Sequence, residues 1–526
     1  MQRSIIEPVS KLSEESGRPN ALGMGMSQEI RANYEQIDLL PQCIEDWVPR
    51  DHPARFIGEF VDALPLVELG FAERESEEGR PSYAHDLLLK VWLYGYLTRI
   101  RSTRELERAC REHLSLLWLT GRHTPDHNTL WRFFRENRRA LREVFRAGVR
   151  VAAEQGLIGM VCHAVDGTKI RAVASGRTME KRKDLEKAWA QVEKSITEME
   201  AAIEQAEQEE GGEYRLPERL QQAEELRRAI RASLGKMQEM GRDCRHPHEP
   251  EVRVMKCEGR KDPAYNAQAV ADAKVGMVVA QAAVNAETDY EQLVPMLEEV
   301  RGNLGRGADE TVGDGQYGTV EQLTEAEARG YEVLTAPGSE GGAEQRGEYA
   351  AAHFSYEAAQ DEVICPRGER LKFRGLRKKG GARVAVRAYF CQVYRSCPVR
   401  ALCSQSGEGR RIELSPQRTA RERQRAKRNT PLGRARLRQR KAIIEPVFAT
   451  IKQALGFRRW TVRGLENVRT QWALLCTVFN LKKLYQHWLS NPRAWAGGGT
   501  PKRVWAGSRS AGARPVMRIP AMAAAG

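Results

Sequence analysis

Three acidic residues stand where a carboxylate can do chemistry. Asp166 closes a β-rich run (HAVDGTK), and Asp314 closes another (VGDGQYG). Glu445 lies inside a basic amphipathic stretch, RQRKAIIEPVFATIKQALGFRR. An acid at a strand end can point from the sheet into a cleft, and an acid on a helix beside that edge can complete the set. Three carboxylates meeting there suit Mg²⁺ (or Mn²⁺), a hard cation that takes oxygen ligands and keeps positions open for water and phosphate. Two such ions can serve the attacking and leaving oxygens of a phosphoryl transfer. Each acid alone also has an ordinary reading, since Asp-Gly is a common turn pair and a lone helical Glu is usually solvated. The surroundings of Glu445 say more. Lys441 lies one turn before it and Lys452 two turns after it on nearly the same face, which places phosphate contacts beside the acid or else makes ordinary ion pairs.

A second group is made of sulfur. Cys365 opens a knuckle-like turn (CPRG), and Cys391, Cys397 and Cys403 follow at equal six-residue spacings (CQVYRSCPVRALC). Four cysteines can give a tetrahedral, structural Zn²⁺ site, although the paired Cys-x2-Cys spacing of a strong zinc signal is absent. Partly buried thiols are the alternative. Cys244, His246 and His248 form a weaker candidate group. Of the remaining polar residues, Tyr265, Asn266 and Gln268 (YNAQ) belong to a strand expected beside that of Asp166. They contact DNA, support the acidic residues, or simply line an exposed strand face. Lys169, Tyr317 and Arg463 are candidate phosphate or site contacts. Trp460 is a candidate for base stacking or for buried packing.

The elements that must position these residues follow from periodicity. From about Trp47 to Arg146 the pattern is helical. Tyr83 to Leu97 carries one broad apolar face. Ser102 and Glu105 read as a capping box opening a helix that runs to about His113. Thr124 and Pro125 read as the start of another helix, carrying Trp131, Arg132, Phe133, Phe134 and Arg135. Two short helices joined by a turn can be a DNA-reading pair or part of a plain bundle. Strands are expected at 160–170, 265–274, 276–285, 311–317 and 331–336, with helices at about 287–302 and 319–329. That order reads as an α/β sheet with mixed pairing. Leu185, Trp189, Val192, Ile196, Met199, Ile203 and Ala206 form a heptad seam, broken at Gly211 and Gly212 and resumed from Leu220 to Met237. A projecting antiparallel helical hairpin is expected there, acting as a strut or dimer contact. Long helices are expected at about 434–456 and 466–489.

Composition narrows the class. The chain has 526 residues with 84 Lys plus Arg against 70 Asp plus Glu, a net charge of +14. Such a balance suits a protein that works against a polyanion. The excess is local, with thirteen basic and two acidic residues between Arg410 and Lys441. Hydrophobic residues make up 41%, enough for real cores, and the mean hydropathy is -0.57. No apolar run is long enough for a membrane span, and the N-terminus lacks a signal pattern, so the cytoplasm, at the nucleoid, is expected. A reducing compartment would keep the ten cysteines as thiols or metal ligands.

Five segments in order carry a resemblance: GRPSYAHDLLLKVWLYGY, VDGTKIRAVAS, YNAQAVADAKVGMVV, VGDGQYGT and IEPVFATIKQALGFRRWTVRGLENVRTQWALLCTVFNLKKL. They span roughly residues 79 to 484. The chain resembles bacterial insertion-sequence transposases of the DDE type. The resemblance implies an α/β, ribonuclease-H-like (retroviral-integrase-like) catalytic core with a helical N-terminal domain, and Asp166, Asp314 and Glu445 as its metal-binding triad. It also implies Mg-dependent cleavage of DNA at the element ends and transfer of the freed strand into target DNA. In related enzymes the Glu belongs to a signature with a Tyr, an Arg and a Lys at set distances. Lys452 matches the Lys; Lys441 stands at the Arg position and Arg438 at the Tyr position. Expected DNA contacts are therefore Lys441, Lys452, Arg438, Lys169, Asn266 and Gln268. Partners are the terminal inverted repeats, target DNA and a second copy of the chain, in a homodimer or larger assembly. Two alternatives stay open: a same-fold nuclease that cuts without joining, and a non-catalytic DNA-binding protein derived from a transposase. The domain reading is a flexible N-terminus (1–40), a helical N-terminal domain that is a candidate for DNA binding (41–150) and a catalytic core (151–175 and 250–337). An inserted helical hairpin (176–249), an inserted Cys-containing subdomain (338–430), C-terminal core helices with the Glu (431–490) and a disordered tail (491–526) complete it.

Overall fold

A computed structural model describes residues 43–491 apart from 73–81, 211–217, 338–347, 351–352, 358, 378–385 and 415–417. The expected flexible N-terminus and almost all of the expected tail lie outside the described residues. Six helices come first: α1 (Pro53–Asp62), α2 (His85–Leu97), α3 (Thr103–Glu112), α4 (Leu114–Leu119), α5 (His127–Glu136) and α6 (Arg138–Glu154). Two helix starts differ from the sequence reading. Ser102 is the N-cap of α3, but its side chain caps nothing, so the capping box does not form. Helix α5 begins after Asp126 rather than at Thr124, because the Asp126 carboxylate accepts from the Asn128 and Thr129 amides, both at 2.9 Å. The short α4 also stands between α3 and α5, so the pair is not joined by a simple turn.

The chain then enters a six-stranded sheet. Strand β1 (Cys162–Arg171) is followed by β2 (Glu180–Lys181), helices α7 (Arg182–Glu210) and α8 (Glu218–Glu239), and β3 (Cys244–Arg245). Next come β4 (Arg253–Cys257), β5 (Arg260–Asp272), β6 (Val278–Val284), α9 (Leu293–Leu304), β7 (Glu310–Gly313), α10 (Val320–Ala328) and β8 (Val333–Thr335). The order is β4-β5-β1-β7-β8, with β6 also on β5. Pairing is antiparallel among β4, β5, β6 and β1, and parallel from β1 to β7 and β7 to β8. Mixed α/β pairing was legible in the sequence; β4 was not, since its five residues carry an Arg, a Lys and one Cys in place of a clear alternation.

Two segments leave this sheet. Helices α7 and α8 pack on each other, with Arg231 over the Trp189 ring and Arg227 beside Glu193. Ile196, Leu220, Ile230 and Met237 fill the seam, while the side chain of Ala206 lies outside the described residues. The β2–β3 pair closes the base through Arg245 and Glu180, 2.8 Å apart. The second segment holds β9 (Ser355–Glu357), β10 (Glu362–Ile364), β11 (Arg370–Arg377), β12 (Val386–Cys391), α11 (Arg400–Cys403) and β13 (Arg411–Leu414), paired in the order β13-β12-β11-β10-β9. None of these strands was expected. Their apolar positions are few and interrupted by Arg and Lys, as an exposed small sheet requires.

Helices α12 (Arg418–Asn429), α13 (Pro431–Ala449, continued by a π-helical turn at Thr450–Ala454) and α14 (Leu465–Ser490) return to the large sheet. Gln424 of α12 docks on β8, accepting from Thr335 N at 3.1 Å and donating to Val333 O at 2.7 Å. Helix α12, which carries part of the basic run, therefore docks on the large sheet rather than belonging to the small subdomain. Helix α14 is buried along most of its length and contacts α2, α6 and β6. Asn480 satisfies the backbone of Val278 on β6 in both senses, at 3.0 and 2.7 Å. One apolar core therefore runs from the first helices through the sheet. Among the described residues no helix is long and apolar enough to cross a membrane.

The hairpin's apolar seam is internal to α7 and α8. Replacing residues 183–241 with a short Gly-Ser turn is expected to leave the circular dichroism of the sheet and the melting temperature unchanged. A chain that fails to fold without it would show that the hairpin carries part of the main core.

Candidate active site

The position of Asp166 is set by two ladders. Strand β1 does not stop at Asp166, as its Asp-Gly pair suggested; it continues to Arg171, paired with β5 throughout. What stops is its parallel ladder with β7, whose last pair is Ala164 with Val312. Two residues further along both strands stand Asp166 and Asp314. The parallel register thus puts the two acids at equivalent positions, each two residues past the last pair. Their charges interact: burial pushes the Asp166 carboxyl above its ordinary value, and Asp314 adds to the rise. The Gly167 amide, 2.8 Å away, and the Arg440 guanidinium pull it back. Asp314 also turns its own loop, accepting from Gln316 N at 2.8 Å.

Helix α13 lies over this face. Directly opposite Asp166 on β5 is Ala269, flanked on the same face by Ala267 and Ala271. Three small side chains let a helix approach closely. Arg436 pairs with Glu310 at 3.5 Å, and one turn later Arg440 pairs with Asp166 at 3.0 Å. The helix thus tracks along β1 and β7, with Ile444, Val447 and Ile451 buried beneath it. Glu445 falls on its exposed side, with Lys441 and near Lys452. Among the described residues Glu445 has no ion-pair partner, and no three Cys, His, Asp or Glu side chains stand close enough to hold a metal ion. The structure therefore brings two acids of the expected triad together and places the third on the helix above them, without closing the set. Arg440 holds the Asp166 oxygen toward which a cation would be drawn.

Residues 364–485, from β10 through most of α14, match a family model described as a transposase DDE domain. Residues 42–136, covering α1 to α5, match another described as a transposase domain. The two matches support a DDE-type insertion-sequence transposase. A comparison with curated proteins finds no match. Glu445 lies inside the first matched stretch, whereas Asp166 and Asp314 fall between the two.

Beneath the acids, on the other face of the sheet, lies a buried polar network whose central acid sequence reasoning missed. At its centre is Asp289, 3% exposed, in the connection from β6 to α9. Its carboxylate accepts from Lys169 Nζ at 2.7 and 3.0 Å, from Asn266 Nδ2 at 2.6 Å and from Gln268 Nε2 at 2.6 Å. Tyr317, just past Asp314, donates to Gln268 Oε1. Gly167 makes this possible. It pairs with Gln268 across the ladder, and a Cβ there would sit 2.3 Å from Gln268 Nε2 and 2.8 Å from Asp289 Oδ1. The Gly after Asp166 is a clearance residue inside a strand, not a turn residue. An acid a few residues after a strand, as in AETDY, was the available signal for Asp289.

This geometry corrects several expected DNA contacts. Asn266 and Gln268 are fully buried and used by Asp289, so neither faces solvent. Lys169 is ion-paired with the same carboxylate. Tyr265 is buried, with its hydroxyl donating to Glu249 at 2.9 Å. Trp460 is 1% exposed, donates to Ile170 O at 3.1 Å and packs among Phe457, Trp472 and Tyr265, which selects packing over base stacking. Arg438, Lys441 and Arg463 are exposed, and Lys452 is half-buried. His246 is buried with its ring nitrogen 2.7 Å from the Thr178 hydroxyl, and the Cys244–His246–His248 group forms no metal cluster among the described residues.

Two substitutions test the network. Gly167→Ala is expected to cost about 1–3 kcal/mol of stability through overpacking. Asp289→Ala, which strands the Lys169 charge, is expected to cost about 3–5 kcal/mol. Both are read by thermal or urea unfolding. Unchanged melting of Gly167→Ala would mean that the network has room to move.

Proposed function

We propose that this transposase cleaves DNA at the ends of its element and transfers the freed strand into target DNA, using a ribonuclease-H-like core. The observation that carries the reading is the equivalent register of Asp166 and Asp314, just past the end of the β1–β7 ladder and under a basic helix. Asp166, Asp314 and, from α13, Glu445 would hold Mg²⁺ (or Mn²⁺). The cation supplies Lewis acidity for phosphoryl transfer when bound.

The chain's own residues do the rest. Burial and the nearby Asp314 charge make an ionised Asp166 costly, and Arg440 offsets part of that cost. The exposed cations Arg438 and Lys441, with Lys452 beyond Glu445, are the proposed phosphate contacts on α13. Lys441 grips phosphate as a point charge where an Arg would do so bidentately. Helix α5 exposes Asn128, Arg132 and Arg135 away from its buried Leu130, Phe133 and Phe134, and it is the proposed element for reading DNA in the first helices. Joining two ends calls for at least two copies of the chain.

The deciding experiment is cleavage and joining of a labelled element end by wild type, Asp166→Asn, Asp314→Asn and Glu445→Gln, with and without Mg²⁺. Each variant is expected to lose about 3 kcal/mol or more of transition-state stabilisation, on the order of 10²-fold, while binding DNA normally. Equal cleavage by all four proteins would remove the triad. Cutting without joining identifies a nuclease, and binding without cutting identifies a DNA-binding derivative. Separately, Arg438→Ala and Lys441→Ala should each lower the salt slope of DNA binding by about 1. An unchanged slope would move the phosphate path off α13.

A further inference from the structure

The small five-stranded sheet brings four cysteines to one of its ends. Strands β10, β11, β12 and β13 are successively antiparallel, so the end of β10, the start of β11, the end of β12 and the start of β13 share that end. Cys365 follows β10 directly. Its turn is closed by Cys365 N to Glu369 O and by Gly368 N to Cys365 O, both 2.8 Å, with Gly368 at φ +87°. Cys391 is the last residue of β12 and pairs with Leu371, the second residue of β11. Cys397 and Cys403 lie in the connection from β12 to β13. That connection is tied back by Cys391 N to Arg410 O at 3.0 Å and by the Arg410 guanidinium to Cys403 O at 3.3 Å.

Cys365, Cys391 and Cys403 pack against one small core of Phe354, Val363, Leu371, Tyr389, Ile412 and Leu414. Cys403 feels the charge of Cys365, Cys391 and Cys397, and Cys391 that of Cys365 and Cys397. All four are free thiols and half-buried. Six buried side chains are few for a sheet of this size, and small units with such cores are held by disulfides or by a metal.

We propose that Cys365, Cys391, Cys397 and Cys403 form a structural Zn²⁺ site that staples the five-stranded sheet. Four sulfurs from a turn, a strand end and a loop are the donor set of a closed tetrahedral site. As thiols they surround one end of the sheet without closing into a ligand set. A divalent cation compensates the charge of four thiolates and draws them in, with release of their protons. The connection from β12 to β13 has only a short helix of its own, so this site would order it. It would also fix the point from which the chain leaves for α12 and α13.

The test uses the full chain purified without chelator. Elemental analysis should find about one zinc per chain. After exchange, Co²⁺ in the wild type should show thiolate charge-transfer bands and the visible bands of a tetrahedral sulfur site. Cys391→Ser and Cys403→Ser should lose the metal and melt lower, while Cys476→Ser, buried in α14, should keep it. The Co²⁺ spectrum needs no variant to fold. Absent zinc together with an absent Co²⁺ spectrum would overturn the proposal. So would retention of the metal by Cys391→Ser and Cys403→Ser, or two disulfides found among these cysteines in the native chain.

Discussion

Three residues of parallel pairing between β1 and β7 organise the candidate site. A parallel ladder aligns equivalent positions without offset, so Asp166 and Asp314 each stand two residues past its last pair. An antiparallel arrangement would have sent the two chains in opposite directions. The ladder ends early because β7 turns away at Gly313 and Asp314, while β1 stays locked to β5 for seven more residues. Asp166 and Asp314 stand where the two chains part, and the Asp314 charge reaches Asp166. Burial and the Asp314 charge act on Asp166 together, and the Arg440 guanidinium answers them.

Two layers hold the divergence open. Above, the alanines of β5 let α13 lie close, and the Arg436 and Arg440 pairs set its register along the strands. Below, Asp289 collects Lys169 from β1 and Asn266 and Gln268 from β5, and Gln268 reaches Tyr317 in the Asp314 loop. The network ties together the two strands and the loop on which the acids stand. Its donors are buried, so each is useful only while all are satisfied. A single missing Cβ at Gly167 separates this closed arrangement from a clash.

Helix α14 explains why the first helices and the sheet behave as one body. It carries the apolar contacts of both, and Asn480 covers the free backbone edge of β6 that would otherwise stay unpaired. The two excursions, the α7–α8 hairpin and the five-stranded sheet, have their own seams. They can vary without disturbing the strands that carry Asp166 and Asp314.

Much of this was legible in the residues alone. Helix and strand periodicity located α2, β1, β6, α10, β8, α13 and α14 closely, because each buries one regular face, while β5 starts earlier, α9 starts later and β7 ends earlier than expected. The hairpin was legible for the same reason. Strand β4 and the five-stranded sheet were not, since short exposed strands carry little apolar alternation. The sequence by itself determined the elements on which Asp166, Asp314 and Glu445 lie, because local periodicity and turn chemistry are written in neighbouring residues. Tertiary structure alone decided the rest. It made Asn266 and Gln268 buried partners of Asp289 instead of surface contacts, turned Gly167 from a turn residue into a clearance, selected Arg440 from a run of basic residues, and left Glu445 on the outer side of its helix. Those outcomes depend on which face of a strand or helix meets its neighbour, and residues far apart in the chain set that.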